Sequence, residues 1–386
     1  MNSGARGRAA ITGLLAVAIA LTWQFLVVHY AFAGNWTSWF CTGGLLAQPE
    51  QLASEHLYRF PQSGGYDGQF YHYIAHDPLF QRGLDRYIDA PRLRYRRILV
   101  PGLAFLAAVG LDRWIDGALV AVNLLFIFIG AYWLARYATH YAQQPAWGVL
   151  FLLAPAVLVA LDRLTVDLAL TAFCIGLAVY VTEQRPGAIY AVLLLAPLAR
   201  ETGLLLTAAY CLVLVAQKCL LRAILFGTSA LPAFAWFAFV ATRTVPYDST
   251  GWVTPVPLAG AIYRMLHPVT YPFLPMVKWS ALLLDECSVA GLVLAFALSL
   301  RWPAQFPKPL ALAATLITLS GITLGKPFWG DAFAFGRVFS PLVALVALEV
   351  FSTRSKWVVA PIALIDLRIC LQLAYNLFLA ARTMFS

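Results

Sequence analysis

Long apolar stretches separated by short polar segments run along the whole chain. A helix needs about 20 apolar residues to cross the hydrocarbon core of a bilayer, and most of these stretches approach that length. Their apolar residues do not alternate with period two, which argues against a transmembrane barrel. The pattern predicts about eleven membrane-spanning helices, over residues 9–32, 98–111, 117–135, 146–161, 165–182, 187–217, 223–242, 281–300, 309–325, 338–352 and 357–381.

Composition agrees with this pattern. Of the 386 residues, 61% are hydrophobic and only 12% are charged, and the mean hydropathy is +0.75. Soluble domains contain about twice that share of charged residues. We therefore expect an all-α integral membrane protein, with residues 1–386 forming a single polytopic unit in contact with membrane lipids.

The net charge of +9 does not indicate a nucleic-acid partner, since basic loops also orient membrane proteins. With the N-terminus inside, eleven spans place basic residues and the flanking Asp162 and Asp167 on the cytoplasmic side. This orientation predicts a multi-pass protein of the cell membrane, such as a bacterial inner membrane. The basic residues on that side would be Arg6, Arg8, Arg113, Arg163, Lys218, Arg222, Arg301, Lys308, Arg354 and Lys356.

Two large extracytoplasmic loops remain in this topology, over residues 33–97 and 243–280. Both are too long to be simple connectors. The first contains seven arginines, which opposes the usual inside bias of basic residues. The functional residues are therefore expected in or near these loops, on the periplasmic or outer side.

The most distinctive segment of the first loop runs from Tyr66 to Ala75 and reads YDGQFYHYIA. Its aromatic residues recur at steps of three and four, which predicts a short interfacial helix with its rings in the membrane interface. Asp67 would lie at the start of that helix. A purely structural interpretation is that Asp67 is an N-cap, which would contribute about 1 kcal/mol.

This segment resembles the Trp-Asp-Gly-x-x-Tyr-x-x-Ile-Ala signature in the first outer loop of PIG-V type mannosyltransferases, with Tyr66 in the place of the tryptophan. More broadly, it is similar to the first-loop acidic motif of the GT-C superfamily of membrane glycosyltransferases. The resemblance implies a GT-C-like fold whose large first loop carries interfacial helices. It also implies a polyprenyl-phosphate-linked sugar donor and a glycan, lipid or protein acceptor.

Sugar transfer from such a donor needs a base for the proton of the acceptor hydroxyl. Asp67 is the candidate catalytic residue, and displacement in a single step inverts the anomeric carbon. The candidate contacts for the sugar or the acceptor are Tyr66, Gln69, His72 and Glu201.

The departing lipid phosphate needs cationic groups at the membrane boundary. Arg94 and Arg97 precede the second predicted span, Arg200 lies inside the sixth, and Lys326 and Arg337 flank an aromatic loop. These five are the candidate phosphate-binding residues. The alternatives are snorkelling to the headgroups for the arginines and an ordinary aromatic belt for the loop.

No cofactor is required by this scheme, although a divalent cation such as Mg²⁺ or Mn²⁺ can assist the phosphate. His72 and His76 lie one helical turn apart and offer two metal ligands, but the sequence supplies no third ligand at regular spacing. Packing in the membrane interface is therefore the preferred interpretation of these two histidines, and the sequence leaves a metal site undefined.

A transporter or flippase for a lipid-linked or small anionic substrate is the alternative function. Charges inside spans favour it, because transporters often carry polar residues at the midplane. Arg200 and Glu201 form one such pair of neighbours, and Asp366 with Arg368 in the last span form another. For the second pair we prefer a structural ion pair with another helix. No internal repeat supports the transporter interpretation.

Overall fold

A computed structural model describes residues 3–247, 250–269 and 275–384. The molecule is all-helical, with 76% of its residues in helices. The predicted second loop, 243–280, lies partly outside the described residues. In chain order the α-helices are α1 (Ser3–Ala31), α2 (Asp67–His76), α3 (Pro91–Arg94), α4 (Leu99–Ala107), α5 (Asp112–His140), α6 (Pro155–Arg163), α7 (Asp167–Thr182), α8 (Pro186–Ala199), α9 (Leu204–Ala216), α10 (Leu220–Gly227), α11 (Leu231–Arg243), α12 (Ala259–Leu266), α13 (Pro275–Ser299), α14 (Lys308–Gly321), α15 (Ala332–Val338), α16 (Ser340–Thr353) and α17 (Ala360–Met384).

Five helical segments in the described ranges are long and apolar enough to cross a membrane: α1, α5, α10 joined to α11, α13, and α17 with the turn before it. Two bent pairs raise the number to seven if each pair is one span. One pair joins the 3-10 helix Pro145–Leu153 to α6 at 61°, and the other joins α15 to α16 at 60°. The multi-pass helical character expected from the sequence is thus confirmed.

The described residues also form four shorter apolar helices: α7, α8, α9 with the turn before it, and α14. Close packing joins them to the long helices. A Cβ atom at Gly176 of α7 would lie 2.8 Å from the ring of Trp133 in α5, so glycine lets these two helices approach as small residues do in membrane bundles.

The predicted single span over 187–217 is wrong, because the chain reverses in its middle. Helix α8 contains Pro197 and ends at Ala199, and a 3-10 turn from Glu201 to Gly203 leads into α9. Thr207 donates a hydrogen bond to the carbonyl of Leu193 at 3.4 Å. Helices α8 and α9 therefore lie side by side as an antiparallel hairpin.

The predicted span over 98–111 is also wrong. Helix α4 has nine residues and is about 14 Å long, whereas the hydrocarbon core is about 30 Å thick. Just before it, Arg97 bonds Tyr71 of α2, and just after it, Asp112 bonds His76 of α2. The segment thus leaves α2 and returns to it on the same side.

The first loop contains two parallel two-residue strands, Thr42–Gly43 and Arg59–Phe60, which fold it back over α2.

Candidate functional site

Helix α2 carries the motif, but it is packed inside the protein. All ten of its residues are buried, including Phe70, Tyr73 and Ile74, so its rings do not lie in the membrane interface. The N-cap position is Tyr66, and no side chain caps the helix start. The carboxylate of Asp67 is therefore not an N-cap and points to other partners.

Those partners are two arginines from distant parts of the chain. Nη1 of Arg94 lies 2.5 Å from Oδ2 of Asp67, and Arg337 of α15 donates to the same oxygen. Burial alone would raise the pKa of Asp67, but the positive charges of Arg337 and then Arg94 outweigh it and hold that pKa well below its ordinary value. Asp67 is thus ionised at neutral pH.

Arg337 also bonds a second carboxylate. Its Nη1 lies 2.9 Å from Oδ2 of Asp167, at the start of α7, and Arg200 pairs with the same carboxylate. We call Asp67, Arg94, Asp167, Arg200 and Arg337 the ion cluster. All five side chains are at most 11% exposed.

A second ion pair lies next to the ion cluster. Nε and Nη2 of Arg97 donate to the two carboxylate oxygens of Glu201 at 2.9 and 2.7 Å, and Nη1 donates to the hydroxyl of Tyr71 at 3.0 Å. Nε of Arg200 lies 4.0 Å from Glu201. Burial would lower the pKa of Arg97, but Glu201 outweighs it and raises the pKa, so this arginine is charged.

The structure therefore brings together six of the predicted site residues: Asp67, Arg94, Arg97, Arg200, Glu201 and Arg337. Buried charges cost free energy unless they are paired. Here the six residues come from four separate chain segments, and Asp167 adds a fifth. This pairing favours a site built for charged chemistry over snorkelling to the headgroups.

Tyr66 borders the ion cluster from the side of a cavity of about 210 Å³. Its ring lies 5.0 Å from the guanidinium carbon of Arg337 and 4.5 Å from that of Arg163. Cys41, Asp162 and Arg163 line the same cavity, but Asp67 is not among its lining residues. Of the predicted site residues, Tyr66 lines this cavity.

Three of the predicted site residues lie elsewhere. Gln69 holds the first loop, since it accepts from the amide of Gly43 at 3.1 Å and donates to the carbonyl of Gly64 at 3.0 Å. Nζ of Lys326 lies 3.6 Å from the centre of the Tyr263 ring. His72 belongs to a separate group of histidines and carboxylates.

In that group, Nε2 of His72 lies 2.8 Å from Asp116 and 3.3 Å from Glu55. Burial would lower the pKa of His72, but hydrogen bonds to these two carboxylates raise it to about 9. His76 lies beside it, with Nε2 atoms 3.1 Å apart.

Sequence reasoning missed Asp167, which it assigned to the cytoplasmic side, away from Asp67. The structure places both carboxylates on Arg337, so they lie on the same side. The error followed from counting α4 as a span. In the last span, Arg368 pairs with Asp285 of α13 at 3.1 Å, which confirms the prediction of an interhelical ion pair for this arginine.

The fold and the site thus define an all-helical membrane-type protein with a buried ion cluster beneath its first loop. Searches against family models, curated proteins and solved structures found no match for this chain.

Proposed function

We propose that this chain is a membrane glycosyltransferase that transfers a sugar from a polyprenyl-phosphate donor to an extracytoplasmic acceptor. The observation that carries this proposal is the pairing of one carboxylate, Asp67, with two arginines, Arg94 and Arg337, that also have other carboxylate partners. Such arginines can exchange one partner for a phosphate without losing all of their counter-charge.

In the proposed reaction, the oxygen of the acceptor hydroxyl attacks the anomeric carbon from the face opposite the phosphate. The bond between this carbon and the phosphate oxygen breaks, and its electron pair leaves with the lipid phosphate. The hydroxyl proton passes to Asp67. Base catalysis of this kind contributes about 10²- to 10⁴-fold.

The two arginines make Asp67 a weak base as long as they hold it, because they keep its pKa low. An incoming donor phosphate competes for the same guanidinium groups. When Arg94 or Arg337 turns to the phosphate, the pKa of Asp67 rises towards the range of an ordinary carboxyl. The base would therefore become competent only when the donor is bound.

Arg200 within the ion cluster and Arg97 next to it supply further positive charge, and Glu201 would orient a sugar hydroxyl. Tyr66 directly precedes Asp67 and lines the cavity, where its aromatic ring can pack on a sugar. A divalent cation at the phosphate is not needed with four arginines so close.

We also propose eleven membrane crossings, as expected from the sequence, but with different members. Helix α4 is not a crossing, and α8 and α9 are two. With the N-terminus inside, the face opposite the ion cluster then carries the basic residues of the short loops, which fits the positive-inside rule. They are Arg6, Arg8, Arg136, Arg185, Lys218, Arg222, Arg301, Lys308, Arg354 and Lys356.

The test is an assay of the purified full chain in sealed proteoliposomes with polyprenyl-phosphate mannose, glucose and arabinose in turn. A transferase releases free polyprenyl phosphate and forms a glycosylated acceptor. Movement of an intact lipid-linked sugar across the bilayer without release of lipid phosphate would instead support the transporter alternative and contradict the proposal.

A further inference from the structure

The second cluster of titratable residues lies at the other end of α2. Four side chains converge there: Glu55 from the 3-10 helix Glu50–Glu55, His72 and His76 from α2, and Asp116 from α5. Both histidine side chains are fully buried. We propose that these four residues form a structural Zn²⁺ site that fixes the first loop to α2 and α5.

The spacing of the donor atoms is the first argument. Nε2 of His72 lies 3.1 Å from Nε2 of His76, 2.8 Å from Asp116 and 3.3 Å from Glu55. Nε2 of His76 lies 3.9 Å from Asp116 and 3.2 Å from Oε1 of Glu55, whereas the 3.3 Å contact of His72 is with Oε2 of Glu55. Zinc bonds of about 2.0 to 2.1 Å in a tetrahedron place neighbouring donor atoms about 3.3 Å apart. The observed separations surround that value.

The hydrogen bond on the other ring nitrogen of His76 is the second and independent argument. Nδ1 of His76 lies 2.9 Å from Oδ1 of Asp112, and Arg82 holds the same oxygen at 2.6 Å. A zinc-bound histidine commonly donates its second N–H to a carboxylate in this way. With the N–H on Nδ1, the lone pair of His76 lies on Nε2, the atom that faces Glu55 and His72 and that would bind the Zn²⁺.

An entry path reaches the cluster from the side of the carboxylates. A cavity of about 400 Å³ is lined by Glu55, Asp112 and Asp116, among others. The two histidines do not line this cavity, and His72 stacks on Phe40 with ring centres 4.2 Å apart. Two imidazoles with two carboxylates suit Zn²⁺ better than Mg²⁺ or Mn²⁺, which prefer oxygen ligands alone.

The site would join three parts of the chain: the first loop through Glu55, α2 through its two histidines, and α5 through Asp116. Asp67 lies five residues before His72 on the same helix, so a fixed α2 also fixes the carboxylate of the ion cluster. The Zn²⁺ ion itself would take no part in the sugar transfer, and the inference does not depend on the proposed function.

The test begins with the metal content of the full chain, purified in detergent without chelators and analysed by mass spectrometry. We expect about one Zn²⁺ per chain. After removal of the metal, titration with Co²⁺ should give the intense visible absorption of a tetrahedral site. A chain without stoichiometric zinc, or a Co²⁺ spectrum that is weak and octahedral, would overturn the proposal.

Variants then assign the ligands. His76→Asn should lose the Zn²⁺, and Asp112→Asn, which removes only the hydrogen-bond partner, should weaken Zn²⁺ binding by about 10- to 100-fold. His56→Asn is the matched control, because His56 is exposed and follows Glu55 directly. The zinc site is wrong if folded His76→Asn retains the metal. It is also wrong if the native chain binds neither Zn²⁺ nor Co²⁺, which is the result expected if His72 is simply protonated in this cluster. The Co²⁺ spectrum of the native chain decides the question even where a variant does not fold.

Discussion

At the scale of single residues, the ion cluster is a set of shared contacts. Asp67 accepts from Arg94 and Arg337, while Arg94 also holds Asp89 and Arg337 also holds Asp167. Removal of one charge therefore leaves each neighbour with a remaining partner. A substitution in the cluster therefore affects both the stability of the protein and the proposed chemistry, and the two effects are measured separately.

Asp67→Asn should abolish sugar transfer and also destabilise the protein. Breaking a buried ion pair costs about 3 to 5 kcal/mol of unfolding free energy. Because Arg94 and Arg337 each keep another carboxylate partner, we expect a loss of about 3 kcal/mol. Transfer should fall at least about 100-fold. Release of polyprenyl phosphate measures the first effect and thermal unfolding the second. Asp85→Asn, on the same loop, is the control, and normal turnover by Asp67→Asn would reject the assigned base.

The stability difference between the wild type and Asp67→Asn should depend on pH. The pKa of Asp67 is lowered in the folded state, so its contribution is complete above the unfolded value of about 3.9 and is lost as the pH falls towards the folded value. The two unfolding curves should be far apart at pH 7 and converge below about pH 4. A gap that stays constant down to pH 3 would contradict the low pKa.

Arg337→Lys keeps the charge but removes the two-pronged contact. The Nη1 and Nη2 atoms of Arg337 bind Asp167 and Asp67 separately, and a single ammonium group does not reproduce that fork. We expect a loss of transfer of about 100-fold. Arg86→Lys, at an exposed position of the same loop, should retain activity, and equal rates for the two variants would count against a role of Arg337 at the phosphate.

At the scale of elements, the hairpin of α8 and α9 places Arg200 in the ion cluster. Only a short turn separates the two helices, so the backbone of Gly203 packs directly on Ala196. This contact requires a residue without a side chain, although the backbone of Gly203 itself is helical. The turn is therefore sensitive to any added atom.

Gly203→Ala should destabilise the hairpin, since its Cβ would collide with the backbone of Ala196. Overpacking of this kind costs about 1 to 3 kcal/mol, and a shift of Arg200 should also reduce transfer. Gly187→Ala, where no neighbouring atom lies within 4 Å, is the control in the same helix pair. Both variants are compared by thermal unfolding, and an unchanged midpoint for Gly203→Ala would exclude the close packing.

The apolar pattern predicted most of the helices but not every crossing. Length alone argued against 98–111 as a span, and Pro197 with Arg200 and Glu201 gave a signal for the break inside 187–217. The motif correctly pointed to Asp67 and the neighbouring arginines as one region. Asp167 was missed because pairing across 100 residues depends on packing, which periodicity does not contain.

At the scale of the whole molecule, the proposed topology keeps eleven crossings but exchanges the sides of the loops around Arg163 and Glu183 relative to the topology predicted from the sequence. Helix α7 starts in the ion cluster at Asp167 and has 16 residues, so Glu183 lies about 24 Å away from it. The predicted and the proposed topologies therefore place these loops on opposite sides of the membrane.

Single cysteines introduced at Gln144 and Gln184 should react with a membrane-impermeant thiol reagent only from the cytoplasmic side. A cysteine at Ser54 of the first loop should react only from the outer side. All three side chains are exposed on the protein surface, so the side of the membrane decides whether the reagent reaches them. Labelling of intact cells compared with inverted vesicles measures this. If Gln184→Cys and Ser54→Cys label from the same side, the revised topology is wrong.

The ion cluster also bears on how the protein is made. Its members enter the bilayer in the order 67, 94, 167, 200 and 337, so the earliest acid waits for its last cation until more than two thirds of the polypeptide has left the ribosome. Before that, Asp67 and Asp167 have one arginine fewer between them. A chain that ends before Arg337 would therefore form two separate ion pairs, Asp67 with Arg94 and Asp167 with Arg200, and only the longer product would contain the side chain that joins them.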